Sequence, residues 1–135
     1  MPAGLPRVFD SWAVIAFLEA EPAAPLVRSF IRAARVAQAP IWISVVNLGE
    51  LWYKLARKYS EPEADFGVEQ IQRLGFEIQD ADWTLTRRAA HFKSKHRLSY
   101  AGCFAAALAK ERNAELVTGD PEFKRLENEI RICWL

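Results

Sequence analysis

A chain of 135 residues with 51% hydrophobic and 26% charged side chains has the size and composition of one globular domain with a real core. Its net charge of +1 excludes a uniformly basic nucleic-acid binder and leaves room for a locally positive face. No apolar run approaches the roughly 20 residues of a membrane span, and the opening MPAGLPRVFD breaks before a leader-like segment forms, so a soluble cytoplasmic protein is expected.

The first element predicted is a short strand, Arg7–Phe9, running into Asp10. A helix follows over Ser11–Glu19, and Pro22 with Pro25 suits the first turn of a second helix reaching about Val36. Pro40 opens an apolar strand, Ile41–Ile43. Ser44 then caps a helix in which Val45, Leu48, Trp52 and Leu55 make an apolar stripe at helical spacing. That stripe places Glu50 on the opposite side, with Lys54 and Arg57.

Further helices are expected over Glu63–Leu74, from Asp82 to about Lys95, and from a Ser99 cap to about Glu111. Strands are expected at Phe76–Ile78, Glu115–Thr118 and Ile130–Trp134. Short strands alternating with helices imply an α/β fold, a parallel sheet covered on both faces. Ligands in such sheets bind at the carboxyl ends of strands, where Asp10 and Asp120 both fall.

Each acid has a simpler account when taken alone. Asp10 can cap a helix together with Ser11, Asp120 can cap a turn opened by Pro121, and Glu50 can pair with Lys54 on a helix surface. Together they form a set of hard oxygen donors suited to Mg²⁺ or Mn²⁺. Clustered carboxylates repel one another until a cation neutralises them. Such a site supports phosphodiester hydrolysis by activated water without a protein nucleophile.

Other chemistries find no support. The phosphatase pattern needs Asp or Thr two residues after its strand-end Asp, where this chain has Trp12, and a receiver domain needs adjacent acids beside Asp10. Phosphate loops, HExxH and a Ser-His-Asp arrangement do not occur. His91 and His96 lie five apart, which suits surface histidines better than joint ligation. Cys103 and Cys133 have no metal-ligand spacing and read as reduced core thiols.

The segments VFDSWAVIAFLEAEP, SVVNLGELWYKL, LSYAGCFAAALA and LVTGDPEF resemble, in order, the four acidic segments of PIN-domain ribonucleases. The resemblance covers essentially the whole chain, 1–135, and is nearest to the VapC-type toxins of toxin–antitoxin pairs. It implies a single PIN-like domain with a central parallel sheet and helices on both faces. It also implies bound Mg²⁺ or Mn²⁺, and RNA cleavage, often of tRNA. Asp10 would then be a direct metal ligand, Glu50 a ligand or an orienter of water, and Asp120 a ligand or a supporting acid. Thr118 would hydrogen-bond into the site. A VapB-type antitoxin and a homodimer are implied by the likeness as well.

One position departs from the pattern. After Tyr100-Ala101 the family has an aspartate, and this chain has Gly102. Glycine in a first helical turn costs about 0.5–1 kcal/mol relative to alanine, with no packing benefit visible in the sequence. Close backbone approach is the simpler account; a lost ligand is the sharper one, predicting a weakened or inactive nuclease with its fold intact. A module that binds antitoxin or RNA without cutting is the alternative function. Positive charge gathers in two groups, Lys54, Arg57 and Lys58, and Arg87, Arg88, Lys93, Lys95 and Arg97. Lys54, Arg57, Arg87 and Arg88 are the candidate RNA contacts. The rings of Trp12, Phe17, Trp52 and Tyr53 are mostly core at their spacings, and some are expected to line an antitoxin groove.

Overall fold

The computed structural model describes residues 5–135. The expectation that no leader precedes the fold bears partly on residues 1–4, which lie outside the described residues. In chain order the elements are β1 (Arg7–Phe9), α1 (Ser11–Leu18), α2 (Ala24–Ala37), β2 (Ile41–Ser44), α3 (Val45–Lys58) and α4 (Glu61–Arg73). β3 (Glu77–Gln79), α5 (Trp83–Lys95), α6 (Tyr100–Glu111), β4 (Glu115–Thr118), a 3₁₀ turn (Pro121–Leu126) and β5 (Ile132–Trp134) complete the chain.

The strands pair in the order β3-β2-β1-β4-β5, and every pairing is parallel. The chain therefore builds outward from β1 in one direction and returns to continue on the other side. The point of reversal lies between β1 and β4, where Val8 pairs with Leu116 and Phe9 with Val117. Crevices at such switch points are where open parallel sheets hold ligands.

Alternation along the strands feeds two cores. Val8, Trp42 and Leu116 point into one cluster with Leu85, Phe92, Phe104 and the alanines of α6. Phe9, Ile41, Ile43 and Val117 point into the other, with Val27, Leu51, Leu55 and Ile71 from α2, α3 and α4. Sheets covered on both faces carry such continuous apolar strands. Cys103 belongs to the first cluster and Cys133 packs against the second, so the sheet separates these two free thiols.

The start of one helix and the start of one strand differ from expectation for physical reasons. α4 starts at Glu61 rather than Glu63, because Ser60 caps it and Pro62 sits within its first turn, where no backbone N–H is needed. β5 begins at Ile132 rather than Ile130, whose amide instead closes onto Leu126 O at the end of the 3₁₀ turn.

Candidate active site

Asp10 leaves β1 and caps α1, its Oδ1 accepting from the Ala13 amide at 2.9 Å. Its other oxygen, Oδ2, accepts from the Thr118 hydroxyl at 2.5 Å. Thr118 ends β4, and its hydroxyl also accepts from the Asp120 amide at 3.0 Å. One threonine thus ties the acids of both central strands together across the switch point. Asp10 therefore caps α1, as its simpler account expects, and is at the same time tied to the end of β4.

Glu50 is brought in from α3. The Ser11 hydroxyl donates to its Oε1, and Lys54 Nζ stands 3.7 Å from its Oε2. Its side chain is only 16% exposed, which corrects the placement of Glu50 on a solvent face. The expected stripe was misplaced: Val45 is exposed at the first position of α3, while Leu51 is fully buried. The buried face of α3 is therefore Asn47, Leu48, Leu51 and Leu55, which turns it toward Glu50. Asp120 follows β4 and caps the 3₁₀ turn, accepting from the Glu122 amide at 3.0 Å.

Burial raises the Asp10 carboxyl from 3.8 to about 7, opposed by its hydrogen bonds from Thr118 and Ala13 and reinforced by the charges of Asp120 and Glu50. No cationic side chain is among its partners in the described residues. A nearly buried carboxylate facing two more, without a cation, is an electrostatic deficit that a bound cation would satisfy. Among the described residues no three acid, imidazole or thiol groups converge closely enough to enclose a metal by themselves. The donor set suits Mg²⁺, which typically binds through one or two carboxylates and keeps several waters.

Two residues missed by sequence reasoning tie the neighbouring elements together. Asn47, buried in the first turn of α3, accepts from Ser44 Oγ at 2.5 Å and donates to Ala101 O at 3.0 Å. It locks the amino end of α3 to that of α6, beside Gly102. The only sequence signal was an amide three residues after a serine cap. The second is Glu122, whose Oε1 accepts from the Ser99 amide at 2.9 Å and from the Ser99 hydroxyl at 3.3 Å. Burial raises its carboxyl above the usual range, the Ser99 amide opposes this, and the neighbouring Asp120 raises it further.

Gly102 itself is buried, and its surroundings correct the reading that it brings no packing benefit. A Cβ there would meet Ser99 Oγ at 2.9 Å, Glu122 Oε1 at 3.0 Å and Phe123 Cζ at 3.3 Å. Gly119 has a similar reason to be glycine, since a Cβ would enter the Trp12 indole, 2.7 Å from Cζ2.

The candidate RNA contacts separate. Lys54 flanks Glu50, and Arg57 lies over the Tyr53 ring at 5.0 Å. Arg87 and Arg88 instead line a groove with Trp83, Thr84, His91 and Lys110. Lys110 is eight residues beyond Gly102 on α6, about 12 Å along the axis, so this groove is not brought together with the acids. A different basic surface, Lys93, Lys95, His96, Arg97 and Arg125, includes Arg125 of the 3₁₀ turn that Asp120 caps. His91 and His96 do not converge; His96 pairs with Glu129 at 2.7 Å.

Of the four rings read as mostly core, with some expected along an apolar groove, Phe17 and Trp52 pack against the second core and none lines the groove between α1, α3 and α4. Trp12 covers Gly119, Phe17 lies beneath Arg28, Trp52 Nε1 donates to Asp65 at 2.9 Å, and Tyr53 lies beneath Arg57. The groove between α1, α3 and α4 is lined by Leu18, Leu55, Tyr59, Phe66 and Gly67 with Glu19, Glu63 and Gln70.

An all-parallel sheet in this strand order, with acids collected at its switch point, defines a PIN-type α/β domain. The chain belongs to the PIN domain family, whose pattern matches residues 7–129. Its fold is similar to that of VapBC2 from Rickettsia felis, solved bound to a promoter DNA fragment: TM-score 0.74, 18% identity, 97% of this chain and 99% of that one. DNA-bound VapBC from Salmonella typhimurium gives 0.75 at 18% identity, covering 96% and 97%. VapC20 from Mycobacterium tuberculosis, a toxin that cleaves the sarcin-ricin loop, gives 0.68 at 14% identity, covering 88% and 93%. No curated protein matches the sequence.

Proposed function

We propose that this chain is the toxin of a type II toxin–antitoxin pair, a divalent-metal-dependent endoribonuclease that acts in the cytoplasm. The observation that carries the reading is the placement of Asp10 and Asp120, joined through Thr118, at the β1/β4 switch point of a PIN domain, with the charge of Glu50 on α3 acting on the Asp10 carboxyl. When bound, Mg²⁺ or Mn²⁺ supplies charge stabilisation at the scissile phosphate.

The protein's own residues hold and align. Asp10 is the anchoring carboxylate, fixed in one rotamer by Thr118 and the Ala13 amide. Glu50, oriented by Ser11, holds the attacking water and takes its proton. Asp120 closes the site from β4. Lys54 neutralises a phosphate next to the cleaved bond, and the Lys93–Arg97 surface with Arg125 guides the RNA backbone toward it. Arg57, Arg87 and Arg88 hold more distant phosphates. Structured RNA such as tRNA is the substrate class, read without a base preference.

A VapB-type antitoxin would bind in the groove between α1, α3 and α4, where Phe66 is 50% and Tyr59 55% exposed. The toxin would work as a homodimer. Gly102 supports a second reading, a module that binds antitoxin or RNA but does not cut. The purified chain should fragment small RNAs in Mn²⁺ and stop on chelation. RNA retained but left intact under both conditions would select the second reading.

A further inference from the structure

Position 102 is the third residue of α6 beyond its cap Ser99. From there a carboxylate reaches back to the N–H of the capping residue and completes a reciprocal capping pair. Half of that pair is present, since the Gly102 amide donates to Ser99 Oγ at 3.0 Å. Gly102 has no side chain for the other half. The acceptor comes from outside the helix, because the Ser99 amide donates to Glu122 Oε1 at 2.9 Å.

The same carboxylate fills the space into which a side chain at 102 would grow, 3.0 Å from its Cβ position. Glu122 is also held next to Asp120, whose Oδ1 accepts the Glu122 amide. It therefore stands in the cap, the volume and the acidic neighbourhood that residue 102 would otherwise occupy. We infer that Glu122 takes the place of an acid at position 102 and supplies the fourth carboxylate of the proposed metal site. The inference rests on the metal-dependent nuclease reading above.

A purely structural Glu122 would act only as a helix cap, a role that glutamine fills equally well. Mn²⁺ alone, titrated calorimetrically into the full chain and three variants, tells the two apart. Glu122→Gln is expected to keep the parental Tm and to bind Mn²⁺ at least about tenfold more weakly. In Gly102→Asp/Glu122→Ala the acid returns to α6 with room made for it, and Mn²⁺ affinity should return to near the parental value. Asp10→Asn serves as the reference loss.

Undiminished Mn²⁺ binding by Glu122→Gln, with binding lost in Asp10→Asn, overturns the role of Glu122 and leaves the nuclease reading standing. Weakened binding accompanied by a lowered Tm also overturns it, in favour of capping. A parent chain that binds no Mn²⁺ overturns the nuclease reading itself. Should the double variant fail to fold, Glu122→Gln decides alone.

Discussion

Asp10→Asn should reduce Mn²⁺-dependent RNA cleavage by about 10²–10³-fold, because the site loses several kcal/mol of transition-state charge stabilisation at ~1.4 kcal/mol per decade. The substitution is nearly isosteric. Its amide oxygen still accepts from the Ala13 N–H, and its NH₂ faces the Thr118 hydroxyl in place of Oδ2. The cap of α1 therefore survives, and only the negative charge is removed. Cleavage rates at saturating RNA, measured beside far-ultraviolet circular dichroism, separate lost chemistry from lost fold. A variant that is folded and still fast would remove Asp10 from the mechanism.

The same substitution should stabilise the metal-free protein, with a defined pH dependence. The Asp10 carboxyl sits at about 7 in the folded chain, against 3.8 as its ordinary value. A carboxyl raised on folding binds more protons in the native state between those two values. Its contribution to stability is therefore neutral below about pH 4, falls as pH rises toward 7, and is constant above. The full penalty is about 4 kcal/mol, of which about 2–3 kcal/mol develops between pH 5 and 8. Urea unfolding in chelator at those two pH values should show the parent losing that much more stability than Asp10→Asn. Parallel pH profiles in the two proteins would contradict the crowded, cation-free acid cluster.

Much of this architecture was legible in the sequence because its signals are local. Ser44, Asp82 and Ser99 cap α3, α5 and α6, and the strand ends at Asp10 and Asp120 are marked by the apolar runs before them. What failed was tertiary. Glu50 was assigned to a solvent face because Val45 was counted into the stripe, although Val45 is exposed and Leu51 takes its place in the core. Arg87 and Arg88 share a charge run with Lys93, Lys95 and Arg97, yet α5 carries the two ends of that run to different surfaces.

Glu122 was invisible for a different reason. In Asp120-Pro121-Glu122 it reads as an ordinary acid in the first turn of a capped element, and its partner Ser99 lies 23 residues away. Only the fold shows that the gap at Gly102 and the carboxylate at Glu122 are the same place. A glycine that looked unexplained along the helix is explained by what packs across it.

The central claim is that Asp10, Glu50 and Asp120 act as a single divalent-cation site. Calorimetric titration of Mn²⁺ into the parent chain and Asp10→Asn, in two buffers of different ionisation enthalpy at pH 6.5, tests it most directly. The account predicts one Mn²⁺ per parent chain with proton release, since the Asp10 carboxyl at about 7 must give up its proton, and no such binding by Asp10→Asn. Identical isotherms for the two proteins, or binding by the parent without any proton release, would contradict it.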